Sequence, residues 1–187
     1  MAGLPGSGKL EFLIRAYDGG AFAQVLTAGL AAGTEIGFTG PYGSFQLADT
    51  DRDVLMVAGG SGMAPVLSLL RHLAEQGSTR KIRFFYGART PTDLFHRALI
   101  EDLGARLGDF RYTEVISEPG DGGWTGATGY VHEAAATALV GGEVTDPEVY
   151  TCGPPPMIDA LVDVLSGAHG VPDSDIRYDK FTTAVSE

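Results

Sequence analysis

From about residue 53 onward, the chain alternates short apolar runs with longer amphipathic stretches. The apolar runs are typical of strands that are buried on both faces of a parallel sheet. They occupy residues 54–58, 82–86, 112–116, 149–151 and 176–178. Helices are predicted between them, around residues 66–73 and over 94–107, 130–140 and 157–165. Strands that alternate with helices predict an α/β fold, an open parallel sheet of about five strands with helices on both faces.

The first 47 residues follow a different pattern. A strand is predicted over residues 10–17, a short helix over 22–30 and a second strand over 35–39. Two strands and one helix cannot close a hydrophobic core by themselves. We therefore expect residues 1–47 to be the tail of a larger domain, and residues 48–187 to form the α/β domain.

Composition and charge narrow the classes of function. The net charge of −11 argues against nonspecific binding to nucleic acid or to an anionic membrane surface. The single cysteine, Cys152, excludes a disulfide within the chain and a cysteine-ligated iron–sulfur cluster. The four histidines are scattered, so no metal site is expected. No apolar run reaches membrane-spanning length, and we expect a cytoplasmic protein.

The sequence GLPGSGK at residues 3–9 is similar to the phosphate-binding loop of nucleotide hydrolases. That loop requires a preceding strand, a hydroxyl residue after the lysine and a following helix. Here position 10 is leucine, and the next residues favour a strand. The stretch is therefore predicted to be a turn, and a hydrolase is not favoured.

A glycine-rich turn follows the first predicted strand of the α/β domain. It comprises Gly59, Gly60, Ser61, Gly62, Met63, Ala64 and Pro65. Glycines at such a turn let the backbone approach a pyrophosphate, and the free amides at the start of the helix point toward it. The pattern G-x-G-x-x-P lacks the third glycine of the dinucleotide fingerprint, and a tight turn without a ligand is the alternative interpretation.

The end of the second predicted strand lacks the carboxylate that usually binds ribose in NAD dehydrogenases. The chain has Tyr86, Gly87, Ala88 and Arg89 there, and the first acidic residue is Asp93. Arg89 could stack on adenine or pair with a 2′-phosphate. The alternative is a solvated residue at the entry of a helix. An ordinary NAD dehydrogenase is therefore a poor match.

A rigid turn follows the fourth predicted strand, with the sequence TCGPPPM at residues 151–157. Prolines fix the backbone and then begin the helix. The carboxyl edge of an open α/β sheet is where ligands bind, so this turn should share an edge with the glycine-rich turn. The alternative for Cys152 is a small buried thiol that packs the sheet.

The segments GPYGSF, MVAGGSGMAP, FYGART, YTCGPPPMI and YDKF, in this order, resemble the ferredoxin–NADP reductase family. They are most similar to the reductase components of bacterial multicomponent oxygenases, such as soluble diiron monooxygenases. The resemblance covers essentially the whole chain. It implies an oxidoreductase that passes a hydride from NADH to FAD, and then single electrons toward an iron–sulfur domain or ferredoxin and an oxygenase component. Residues 1–47 would be the remnant of an FAD-binding β-barrel, and residues 48–187 the NAD(P)-binding domain.

The resemblance also implies roles for particular residues. Gly60, Ser61, Gly62 and Pro65 would hold the pyrophosphate, and Arg89 would lie near the adenosine ribose. Cys152 and Gly153 would flank the nicotinamide, Pro154 would shape the next turn, and Phe181 would cover the flavin, so that Cys152 and Phe181 are the candidate catalytic residues. The remaining candidate cofactor-binding residues are Gly59, Met63, Ala64, Tyr86, Gly87, Pro155 and Met157, with Gly20, Phe22, Gly40, Pro41 and Gly43 on the flavin side.

Several features depart from the family pattern. The family carries its flavin-binding R-x-Y-S motif just before the position of residue 1, and the sequence does not contain this motif. In the family's G-x-x-S-x-x-L segment, Ala23 replaces the serine. The second hypothesis is therefore a non-catalytic nucleotide-binding or docking module that binds NADH without retaining flavin. The preference for NADH rests on the resemblance alone, and Arg89 keeps NADPH open.

Overall fold

The computed structural model describes residues 1–16, 19–40 and 42–181 of the chain. Pro41, which the resemblance places near the flavin, lies outside the described residues. The last residue of the first predicted strand, at position 17, lies outside them as well.

A six-stranded parallel sheet forms the centre of the fold, which confirms the predicted class. Its strands are β1 (Val54–Gly59), β2 (Lys81–Ala88), β3 (Asp109–Ile116), β4 (Ala127–Thr128), β5 (Glu148–Gly153) and β6 (Ile176–Lys180). They are ordered β4-β3-β2-β1-β5-β6. The additional strand is β4, whose two residues are exposed and pair only with the end of β3. It carries no apolar run, so the hydrophobic pattern gave no signal for it.

Helices cover both faces of the sheet. They are α1 (Ala21–Thr27), α2 (Met63–Glu75), α3 (Arg97–Gly104), α4 (Val131–Val140) and α5 (Pro155–Val162). The first precedes the sheet, and a π-helical turn, Asp163–Ala168, extends the last. Alternate residues of β1 enter opposite cores, Met56 with α2 and α3, and Val57 with α4 and α5. This two-sided burial explains why the strands read as continuous apolar runs.

Two predicted helix boundaries differ from the structure for local reasons. Helix α3 begins at Arg97 because a 3₁₀ turn, Pro91–Asp93, and a left-handed His96 (φ 61°) precede it. The 3₁₀ turn is closed by reciprocal hydrogen bonds between Thr90 and Asp93. Helix α5 begins at Pro155, two residues earlier than predicted, because proline is well suited to the first helical position.

The segment before the sheet contains no strand in its described residues. Residues 10–16 and 35–39 lie in neither a helix nor a strand, so the two strands predicted there are not formed in the described residues. The predicted helix is shorter and ends at Thr27. The segment contacts the α/β unit through a few apolar side chains, namely Ala2, Leu13, Phe45 and Leu47, which pack against the core on the α2 side.

Candidate functional site

The two predicted turns meet where the strand order reverses. Strands β1 and β5 are neighbours, and Ala58 is paired with Cys152, so the turns after these strands lie side by side. Such a switch point opens a crevice at the carboxyl edge of an α/β sheet. A cleft of about 650 Å³ opens at this edge. Its lining includes residues 59–61 at the end of β1, 86–89 at the end of β2, 129–131 at the start of α4, and 12–15 of the segment before the sheet.

The glycines of the first turn have different surroundings. Gly60 has a positive φ of 56° and lines the cleft beside Ser61. Gly62 is buried, and a Cβ there would overlap the backbone carbonyl of Cys152. Met63 and Ala64 are also buried, and Pro65 is half-buried in the first turn of α2. Of the seven predicted residues, only Gly59, Gly60 and Ser61 therefore line the cleft.

The second turn forms the floor of one end of the cleft. Pro154 and Met157 line it, and Met157 packs so closely that a Cβ on Gly59 would lie 2.7 Å from its Sδ. Gly153 is buried under the same methionine, and Pro155 is half-buried behind it. Glycine is required at Gly153, which has a positive φ of 155° and lies against the backbone of Gly59, whereas a Cβ on Gly59 would meet only the flexible end of Met157 and the ring of Pro154.

The two candidate catalytic residues lie at the same sheet edge. Cys152 is fully buried, and its burial raises the pKa of the thiol far above the ordinary value. Phe181 follows β6, and its backbone N–H donates to the carbonyl of Gly153 at 3.1 Å. Its side chain is 39% exposed. A neutral, buried thiol and an exposed ring can shape a site, and their proposed contacts with nicotinamide and flavin stay predictions.

The other end of the cleft carries charged groups. Arg89 does not stand free, because its guanidinium donates both Nε and Nη2 to the Glu118 carboxylate at 3.0–3.1 Å. Tyr86 is buried beneath the cleft, and its hydroxyl donates to the Gly60 carbonyl at 3.3 Å. Gly87 lies against Val131, where a Cβ would come within 2.9 Å. The predicted end of β2 is thus part of the site, with an acidic partner that sequence reasoning missed.

Among the residues at the cleft that were not predicted, three carry groups that bear on ligand binding. Arg15 reaches the cleft from the segment before the sheet, and its Nη1 lies 3.8 Å from where a Cβ on Gly60 would stand. Tyr130 is 63% exposed and stacks on His132 with ring centroids 5.6 Å apart. Asp93 also lines the cleft, and hydrogen bonds from Thr90 lower the pKa of its carboxyl group. The position of Tyr130 at a predicted helix start was the only sequence signal among these.

The flavin-side predictions that the structure describes, Gly20, Phe22, Gly40 and Gly43, do not line this cleft. Gly20 is the N-cap of α1, and Phe22 in its first turn is 39% exposed. Gly40 and Gly43 lie in the exposed part of the segment. Their contacts with flavin stay predictions.

The described residues, 1–16, 19–40 and 42–181, contain neither a candidate membrane span nor a candidate metal cluster. In these residues, no helix is long and apolar enough to cross a bilayer. Nor do any three His, Cys, Asp or Glu side chains of residues 1–16, 19–40 and 42–181 come together as metal ligands would.

Comparison with known proteins identifies the family to which the chain belongs. The sequence profile of the oxidoreductase NAD-binding domain matches residues 56–163, and that of the oxidoreductase FAD-binding domain matches residues 3–47. The reductase component of propane 2-monooxygenase from Rhodococcus jostii (strain RHA1) is 47% identical over 184 residues, which are 96% of this chain and 49% of that protein. The phenol 2-monooxygenase reductase component DmpP from Pseudomonas sp. (strain CF600) is 36% identical over 178 residues, 94% of this chain and 50% of that protein.

Solved structures show the same fold. The ferredoxin reductase in carbazole 1,9a-dioxygenase superposes with a TM-score of 0.71 at 30% identity, over 90% of this chain and 50% of that one. The Amycolatopsis cytochrome P450 reductase GcoB gives a TM-score of 0.80 at 26% identity, over 92% and 52%. This chain spans about half the length of the curated relatives it matches. The resemblance to ferredoxin reductase-like proteins is thus confirmed, and the chain belongs to the oxidoreductase NAD-binding domain family.

Proposed function

We propose that this chain is the electron-input module of an NADH-dependent flavoprotein reductase. NADH would supply a hydride, and FAD would divide its two electrons into single steps toward an iron–sulfur centre and an oxygenase. The observation that carries this proposal is the cleft at the switch point, where the α/β unit and the segment matched by the FAD-binding profile both contribute side chains. Its volume lies within the range of about 300–1,000 Å³ that is usual for small-molecule sites.

The middle of the cleft suits a pyrophosphate. Gly60 and Ser61 lead directly into the thirteen-residue helix α2, whose first backbone amides carry partial positive charge. Gly60 has no side chain of its own to fill this part of the cleft, and the guanidinium of Arg15 lies over the same turn. In this proposal, backbone amides and Arg15 bind the two phosphates and so fix the cofactor along the cleft.

The charged end of the cleft suits adenosine without a 2′-phosphate. The exposed ring of Tyr130 offers a stacking surface for the base, and His132 supports it from behind. A 2′-phosphate would have to displace Glu118 from Arg89 and would meet its negative charge. We therefore propose NADH rather than NADPH as the cofactor.

The floor at Gly59 and Gly153 suits the nicotinamide end. Met157 and Pro154 hold the two backbones close together, and Phe181 is bound to the same edge. These groups orient the ring and exclude water, and the cofactors carry out the redox chemistry. Because burial raises the pKa of the Cys152 thiol, it stays protonated, and its contribution would be one of shape.

Titration of the full chain with FAD and NADH, separately and together, tests the proposal. Retained flavin whose visible absorbance is bleached by NADH is the expected result. NADH binding without flavin retention would favour the alternative of a nucleotide-binding or docking module. Absence of NADH binding would contradict both.

The partners and the location are proposals of the same kind. The relatives are named as reductase components of oxygenases, which supports an iron–sulfur domain or ferredoxin and an oxygenase as acceptors. We propose a cytoplasmic location because NADH is available there. NADH-driven reduction of an added plant-type ferredoxin, dependent on FAD, would support the proposed direction of electron flow.

A further inference from the structure

Helix α2 holds the segment before the sheet through polar contacts on its outer face. Nη1 of Arg71 donates to the Ala2 carbonyl at 2.9 Å and to one carboxylate oxygen of Glu11 at 2.8 Å. Nη2 donates to the other oxygen of Glu11 at 3.0 Å. One turn earlier on the helix, the Ser68 hydroxyl donates to the Gly3 carbonyl at 2.8 Å. We call Ser68, Arg71 and Glu11 the α2 clamp.

The α2 clamp is better built than an ordinary surface ion pair. Its two parallel bonds use the fork geometry of arginine, and the Arg71 side chain is only 18% exposed. The hydrogen bond from Arg71 is the main reason why the pKa of Glu11 lies below its ordinary value. The Ala2 N–H also donates to the Glu11 carbonyl at 2.7 Å, so a backbone hydrogen bond joins the segment to the N-terminus at that point.

Helix α2 is therefore connected to both sides of the cleft. Its first residue follows the glycine-rich turn, and its outer face holds Glu11. From Glu11 the chain continues through residues 12–15, which line the cleft, to Arg15 over Gly60. No strand pairs with residues 10–16, so the clamp, with the packing of Leu13, takes the place of sheet hydrogen bonds.

We propose that Arg71 is a positioning residue for cofactor binding: through Glu11, it holds Arg15 over the phosphate site. This inference rests on the proposed function, because it requires that Arg15 bind the pyrophosphate of NADH. It assigns a binding role to a side chain on the outer face of α2 that does not line the cleft.

A double-mutant cycle with NADH affinity, measured by calorimetry on the full chain, tests the proposal. Arg15→Gln should weaken NADH binding about ten-fold, and Arg71→Gln about five-fold. The double variant should bind like Arg15→Gln alone, because Arg71 acts only through Arg15. Arg71→Gln should also raise hydrogen exchange at the Ala2 amide, which donates to the Glu11 carbonyl. Exchanging the charges, Glu11→Arg with Arg71→Glu, should restore a large part of the affinity.

Arg106→Gln is the matched control. It removes the exposed ion pair between Arg106 and Glu75 at the far end of α2 and should leave NADH affinity unchanged. Thermal unfolding shows whether each variant is folded. If the losses of NADH affinity in the two single variants add up in the double variant, Arg71 does not act through Arg15, and the positioning role is overturned. The same follows if Arg71→Gln binds NADH like the wild type while Arg15→Gln binds it more weakly. Neither outcome affects the phosphate site. Wild-type affinity of Arg15→Gln would overturn the phosphate site, and the positioning role with it.

Discussion

At the scale of single residues, neighbouring glycines in one turn serve different purposes. Gly60 has a positive φ and faces the cleft, so it fits the expectation of close backbone approach to a ligand. Gly62 has an ordinary φ of −61° and is enclosed by the backbone at Cys152 and Gly153. It lets α2 pack against the end of β5, and so it holds the two halves of the site together.

Gly62→Ala should therefore lower the stability of the fold. We expect a loss of about 1–3 kcal/mol in the free energy of unfolding, because the added methyl group overlaps rigid backbone. Gly167→Ala is the matched control, since open space surrounds that position and a helical turn contains it. The control should be neutral or slightly stabilising. Equal effects of the two substitutions in urea unfolding would contradict the packing role of Gly62.

A second residue-scale feature is the buried carboxylate of Glu148. Burial raises its pKa, but hydrogen bonds from Tyr150 (2.6 Å), Thr50 (3.0 Å) and Arg80 (3.2 Å) more than offset this, and the pKa is lowered. A group with a lowered pKa in the folded state stabilises the fold above its ordinary pKa of 4.5 and loses this contribution as the pH falls further.

Glu148→Gln should accordingly reduce the melting temperature at neutral pH, where the carboxylate accepts all three hydrogen bonds. The gap to the wild type should shrink as the pH falls below about 4.5, because the unfolded chain then binds a proton that the folded carboxylate, with its lowered pKa, does not yet bind. Thermal unfolding between about pH 3 and pH 7 measures this. Glu35→Gln, at an exposed position, should show no gap at any pH. A Glu148→Gln gap that stays constant with pH would contradict the stabilising role of the charge.

At the scale of elements, the ends of β2 and β3 would determine which dinucleotide the proposed site accepts. Arg89 follows β2, and Glu118 comes soon after β3. Because the two strands are parallel neighbours, their ends share one edge and the two side chains form an ion pair. Arginine alone would favour a 2′-phosphate, whereas the pair presents a carboxylate at the same place.

Glu118→Gln should shift the preference toward NADPH. Release of Arg89 and removal of a negative charge should raise NADPH affinity about ten-fold, with a smaller change for NADH. Fluorescence titrations with both cofactors measure the ratio. The double variant Glu118→Gln, Arg89→Gln should lose the gain. An unchanged ratio in the single variant would show that the pair does not contact the ribose.

The sequence predicted those elements whose own residues carry the signal. Strands buried on both faces were found from their apolar runs, and the turns at Gly60 and Gly153 from their glycines and prolines. Strand β4 consists of two exposed residues, which give no hydrophobic signal. Strands were predicted in the segment before the sheet because the sequence there favours strands, but sequence does not reveal whether a neighbouring strand is present to pair with them. Arg15, Glu118 and Tyr130 reach the site only through the spatial arrangement of elements, which spacing along the chain does not encode.

At the scale of the whole molecule, apolar exposure is concentrated before the sheet. Nine large hydrophobic side chains among the described residues between Leu10 and Tyr42 are more than one third exposed, among them Phe12, Ile36 and Phe38. Residues 31–40 are exposed throughout. In contrast, the strands and helices from β1 to β6 form two hydrophobic cores, one on each face of the sheet. The described chain therefore combines a well-packed unit with a segment that buries little apolar surface.

Limited proteolysis should reflect this difference. Thermolysin, which cuts before large apolar residues, should cleave first beside Ile36 or Phe38, because exposed chain with few hydrogen bonds opens at little cost. The loop of residues 118–126 is a suitable internal control, since it is largely exposed and its one large apolar side chain, Trp124, is half-buried. Mass spectrometry of early fragments identifies the sites. A first cut between β1 and β6 would contradict the expectation.

The order of the strands also affects how the chain reaches its folded state. Strands β1 and β5 are adjacent in the sheet, although β2, β3 and β4 separate them along the chain. Such distant parallel pairing forms slowly, because a long loop must close before the contacts compensate its entropy. The crevice between the two turns exists only after β5 has inserted beside β1. During refolding, the ability to bind a dinucleotide should therefore appear with the last steps, after the helices have formed.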